Sequence, residues 1–130
     1  MRHLIVAMAC ALSSAAHGGA ADVAAAWNVL QAAAPTQCQR DSDCRSLGVG
    51  VLACGGPQQF LSWSAPATDE PRLQAAARRF ERARQKQIEK TGELSVCVVL
   101  EDPGASCQRA PDAAAGHCVL RQHGAQGQLR

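Results

Sequence analysis

The cysteines carry most of the chemistry available to this sequence. A thiol can act as a nucleophile, hold a metal or form a disulfide, and spacing with compartment separates the three. Cys10 sits in an N-terminal apolar run, and the other six are Cys38, Cys44, Cys54, Cys97, Cys107 and Cys118. Successive members of that set are separated by 5, 9, 42, 9 and 10 residues, so no CxxC pair is present to grip zinc. Nucleophilic catalysis has equally little support: there is no GxSxG and no HExxH, and beyond residue 20 the histidines are His117 and His123. His17 joins them only if a leader is cut early. An even cysteine set in an oxidising compartment leaves no free thiol to activate. These residues are therefore expected to be structural staples, with the pairing open, and no enzyme activity, metal or other cofactor is expected.

The densest polar motif is CQRDSDC, from Cys38 to Cys44. Asp41 and Asp43 can accept hydrogen bonds from nearby backbone amides and fold a tight turn between the two cysteines. A calcium loop counted from Asp41 would need an acidic twelfth residue, where Leu52 stands. The run GVGVLA beginning at Gly48 lacks the following helix of a dinucleotide fingerprint and is expected to be a glycine-containing strand. The remaining candidate is a row of cations. Between Arg72 and Lys90 lie seven Lys or Arg against Glu81 and Glu89, and Arg78, Arg82, Lys86 and Lys90 recur every four residues. Like charges at that spacing repel by about 0.2–0.5 kcal/mol per pair, which an anionic partner would relieve. The plainer expectation is a solvated face whose repulsion is relieved in part by contacts of Arg78 with Glu81, Glu81 with Arg84 and Lys86 with Glu89. Aromatic residues do not interleave the row, so nucleic acid is not expected.

The elements that must hold these residues follow from position and pattern. Arg2 and His3, the nine apolar residues Leu4 to Leu12 and the small residues Ser13 to Ala21 have the order of a secretory signal peptide, cleaved after Ala16 or Ala20. Nine apolar residues fall short of the roughly 20 needed to span a bilayer, so no transmembrane segment is expected in the mature form. Lipid modification of Cys10 is disfavoured because the apolar stretch before it is short and Leu is absent three residues upstream. The mature chain is then one domain, periplasmic or secreted. It carries 12 Lys+Arg against 11 Asp+Glu, a balance that names no partner. Aromatics make up 3% of the sequence and much of the apolar content is Ala, so the core is thin and covalent staples matter.

Asp22 can cap a helix from Val23 to about Ala34, with Val23, Trp27 and Leu30 on one face and Pro35 ending it. A polar loop spans 36–46. Leu47 to Ala53 and Gln58 to Trp63 read as a hairpin turned at Gly55, Gly56 and Pro57. Asp69 or Glu70 followed by Pro71 starts a second helix that runs to Lys90 and closes at Gly92, burying Leu73, Ala76, Ala77, Phe80 and Ala83. A β-branched strand over Leu94 to Leu100, a turn at Asp102 to Gly104, a cysteine-containing loop and a strand from His117 to Arg121 complete the chain. This makes an α+β fold: an antiparallel sheet of three or four strands on one main helix, with an N-terminal helix over 21–35, a stapled domain over 36–123 and a frayed tail over 124–130.

Two resemblances follow from these motifs. The C-x-x-D-x-D-C arrangement is similar to a piece of the whey-acidic-protein inhibitors and squash-type knottin inhibitors, but it covers seven residues, and the close cysteine pairs that follow in those families are absent. With ACGGP (Ala53 to Pro57), QFLSWS ending at Ser64, the TDE start of the second helix, TGELSVC (Thr91 to Cys97), DPG (Asp102 to Gly104) and GHCVL (Gly116 to Leu120), the chain resembles a family of small exported cysteine-rich proteobacterial proteins. The resemblance spans about Gln37 to Leu120 and implies export, disulfides and a single domain, with no activity attached. The expected function is a non-enzymatic exported domain that binds a protein or an anionic envelope component. The alternatives are a secreted inhibitor of a protease or other hydrolase, using a disulfide-held loop such as Leu47 to Gln59, and a small periplasmic enzyme.

Overall fold

The structure, a computed structural model, describes residues 19–122. The expected signal peptide, 1–20, lies outside the described residues up to residue 18, and the whole of the expected tail, 124–130, lies outside them. The order is α1 (Ala20–Ala32), β1 (Gln37–Cys38), β2 (Cys44–Val49), β3 (Gln59–Ser64), α2 (Glu70–Thr91), β4 (Ala105–Gln108) and β5 (Gly116–Leu120). Single 3-10 turns lie at Asp41–Asp43 and Ala65–Ala67. The fold is α+β and the strands pair antiparallel, in two groups: β2 with β3, and a three-stranded sheet in the order β1-β5-β4.

α2 forms where its signals are local. The Asp69 side chain accepts from the Arg72 amide at 3.2 Å, Pro71 occupies the first turn, and Gly92 closes the helix with φ 66. A residue bearing a Cβ resists that left-handed angle. α1 starts at Ala20, two residues before the expected cap: Gly19 precedes it, and Asp22 lies in its first turn without acting as the cap. An acidic group there still favours the positive end of the helix dipole.

The main core lies where α1 and α2 meet the β2–β3 hairpin. Leu30 and Leu73 are wholly buried, joined by Ala26, Val49, Trp63, Ala76, Ala77 and Phe80. Trp27 tilts against Phe80 with ring centroids 5.2 Å apart. Alanines let the two helices approach closely, and each fully buried Leu contributes about 1.5–3 kcal/mol.

A second core fills the three-stranded sheet, and it is built of sulfur. Cys38 bonds Cys107, Cys44 bonds Cys118, and both bridges are packed with Ala105. The two cores are joined through β3: the Ser62 hydroxyl donates to the Cys118 carbonyl at 2.9 Å, and the Ser64 amide donates to the Pro35 carbonyl at 2.8 Å. A third disulfide, Cys54–Cys97, is peripheral and ties the hairpin connection to the segment after α2.

Three expectations are corrected. β2 begins at Cys44 and ends at Val49 instead of running from Leu47 to Ala53, because Gly50 turns the chain at φ 71 and a Cβ there would meet Gln58 and Phe80 at 3.0 Å. The loop expected around Cys107 is strand β4, since Cys107 lies opposite Cys118 in the ladder. Leu94 to Leu100 is not a strand. Its β-branched residues have the propensity, but among the described residues no strand pairs with it, and the chain here is fastened through Cys97 to a turn.

Candidate functional site

The staple residues fall as three pairs, Cys38–Cys107, Cys44–Cys118 and Cys54–Cys97, so no described cysteine is a free thiol. Sulfurs of Cys38, Cys44 and Cys107 lie within 4.8 Å of one another, a grouping that could imitate a metal site. Each is already in a disulfide, and a metal ligand must be a thiolate. His117 lies exposed on β5 with Nδ1 3.2 Å from the Thr36 hydroxyl.

Asp41 and Asp43 both accept backbone amides, as the motif between the first two staples implies. Asp43 takes the Gln39 amide at 2.8 Å and the Arg40 amide at 3.2 Å. Those donors, the Gln39 amide foremost, hold its carboxyl below the ordinary value. Asp41 reaches much farther along the chain, accepting the Cys107 amide at 2.8 Å and so pinning β4. Both aspartates are thus occupied in shaping the turn.

The cationic face is different. Arg78, Arg82, Lys86 and Lys90 are all exposed on α2, and among the described residues none of the ion pairs expected to relieve them in part is formed. Among the described residues the ion pairs are Arg40 with Asp43 and Arg84 with Glu93. Glu89 instead accepts from Gln85 at 2.9 Å. Arg84, another of the seven cations of this helix, lies off the face: it is 8% exposed, and its guanidinium donates to Gln58 at 2.7 Å, to Glu93 at 2.9 Å and to Gln87.

Arg82 and Lys86, together with Arg79, line a hollow of about 210 Å³ between α1 and α2, floored by Ala25, Ala26 and Ala83 and bordered by Asp22. Arg78 and Lys90 flank the face without lining this hollow. Arg79 was hidden from the four-residue count. Its signal was the interleaved spacing of 79, 82 and 86, which matters only once α1 lies alongside. The hollow is small beside ordinary ligand pockets of about 300–1,000 Å³.

No helix among the described residues is long and apolar enough to cross a membrane. With three disulfides this is compatible with an exported protein. The chain matches no family model, no curated protein and no solved structure.

Proposed function

We propose that this is an exported, non-enzymatic binding domain that docks an anionic envelope component on the cationic face of α2. The observation that carries the reading is the absence of any ion pair from Arg78, Arg79, Arg82, Lys86 and Lys90 among the described residues, although Glu81 and Glu89 share the helix. Cations one turn apart repel, and an anionic surface converts that repulsion into attraction. The hollow beside Arg79, Arg82 and Lys86 supplies a place where one anionic headgroup gains several cations at once. The leader-like N-terminus and the three disulfides support an oxidising, extracytoplasmic setting.

Vesicles of anionic and of zwitterionic lipid test this. The chain should sediment with the anionic vesicles, and the binding should weaken steeply with added salt. Each surface cation is worth about 1 kcal/mol at an anionic membrane, so Arg79→Ala with Arg82→Ala should lower the partition coefficient by about 30-fold. Binding that ignores both salt and these substitutions would refute the cationic face.

A further inference from the structure

The three disulfides meet solvent very differently. Cys38 is 3% exposed, Cys44 6% and Cys118 3%, and with the half-buried Cys107 they make up the sulfur core beside Ala105. Cys54 and Cys97 are both exposed and belong to neither core. On the Cys54 side the chain offers no cover: Gly55 and Gly56 have no side chains, and a Cβ added at either would meet no atom within 4 Å. The bridge borders a hollow of about 280 Å³ lined by residues 54–57 and 97–100.

The noncovalent ties of the chain that this bridge fastens are slight. Among the described residues no strand pairs with 94–101. The Cys54 amide donates to the Ser95 hydroxyl at 3.4 Å, which is long for a hydrogen bond. Leu94, Val96 and Val99 are 93%, 78% and 92% exposed, so their side chains add little packing. Both ends, in contrast, are fixed without sulfur. Glu93 is held by the buried Arg84 at 2.9 Å, and the Asp102 carboxylate accepts from the Ser46 hydroxyl at 2.5 Å and from the Gly104 amide at 2.8 Å. Opening the bridge therefore frees the span between two anchors and leaves both cores and their ladders intact.

We infer that Cys54–Cys97 is a reversible exchange site for a dithiol, and that its reduction releases residues 94–101 while the two buried disulfides keep the domain folded. Exchange requires a thiolate to reach one of the bonded sulfurs, so access governs which bridge reacts. An exposed bridge is open to attack in the native state. A bridge inside a core is open only in the unfolded fraction, about 10⁻³ or less for a typical domain. Burial thus separates one exchangeable bridge from two permanent ones.

In the first step a thiolate of the dithiol attacks one of the two sulfurs, forms a mixed disulfide with it and expels the other as a thiolate, which takes up a proton. The second thiol of the same reagent, deprotonated, then attacks the reagent's own sulfur in the mixed disulfide. The reagent closes into a disulfide, and the remaining protein sulfur leaves and is protonated. The dithiol gives up two electrons and two protons, and Cys54 and Cys97 receive both. A monothiol goes no further than the mixed disulfide, because the freed cysteine, with the two Cα atoms 5.4 Å apart, expels it again. A dithiol escapes that return through its own intramolecular second step.

The test treats the disulfide-bonded chain with dithiothreitol in the absence of denaturant, after blocking any thiol free at the start. Newly freed thiols are alkylated at intervals and mapped by mass. Cys54 and Cys97 should be labelled together, about 10³-fold faster than Cys38, Cys44, Cys107 and Cys118. At that stage the near-UV circular dichroism of Trp63, buried in the main core, and of Trp27, packed on Phe80, should keep its native form. Amide order parameters across 94–101 should fall below about 0.6. Exchanging dithiothreitol for its oxidised form should restore the same pair, and Cys54→Ser with Cys97→Ser should reproduce the released state without reagent. Reduction of all three bridges at one rate, or of a buried bridge first, would overturn the proposal. So would unchanged order parameters, since the bridge would then fasten nothing. Loss of the tryptophan signal at the first reduction and in the double variant would overturn it as well, by showing that this bridge holds the whole fold.

Discussion

Gly116 lies where the Cys38–Cys107 bridge passes over β5. A Cβ at this position would sit 2.6 Å from the Gln108 carbonyl oxygen and 2.7 Å from the Cys107 sulfur, closer than real atoms approach. The constraint is room for the β4 backbone at Gln108 and for the disulfide, because Gly116 is not among the glycines with positive φ. Gly116→Ala should therefore lower stability by about 1–3 kcal/mol, the usual cost of overpacking, measured as a shifted urea midpoint at unchanged slope. An unchanged midpoint would mean that the bridge can move aside. GHCVL was legible as a strand from its residue types. The need for its glycine was not, since the atoms that exclude a side chain come from residues 107 and 108 and from a cysteine bond across the sheet.

At the level of elements, α2 was the most legible part of the chain. Its cap, its proline, its closing glycine and its buried stripe all act within one or two turns, so the residues that decide them are adjacent in sequence. Asp69→Ala removes the acceptor for the Arg72 amide and should cost about 0.5–2 kcal/mol, seen as a lower thermal midpoint by circular dichroism. Arg84 shows the limit of the same reasoning. Counted along the helix it belongs to a cationic excess, whereas in the fold it faces Gln58 and Glu93 and supports the apolar loop. The stretch Leu94 to Leu100 shows the converse. Propensity favours a strand there, but a strand is stabilised by its ladder neighbours, and among the described residues none pairs with it. Likewise the short β1 and β4 had too few residues to show alternation, and they exist because β5 lies between them.

Across the whole molecule, the disulfides divide into two that form a core and one that fastens a loop. Cys44–Cys118 closes a separation of 74 residues and Cys54–Cys97 one of 43, so chain entropy alone gives each about 4 kcal/mol. The first pair is buried, at 6% and 3% exposure, and its removal also opens the sulfur core. Replacing Cys44 and Cys118 by Ala should consequently destabilise the domain more than replacing Cys54 and Cys97, in paired denaturation curves. Equal losses would show that packing of the sulfurs adds little. The sequence by itself determined the fold class, both helices, the hairpin and the staple role of six cysteines, because parity, periodicity and capping are written in neighbouring residues. Only the tertiary structure decided which cysteines pair, which cations have no ion pair among the described residues and which apolar segment is left outside. Each of those depends on residues tens of positions apart being brought within a few ångströms, and on the depth at which each is buried.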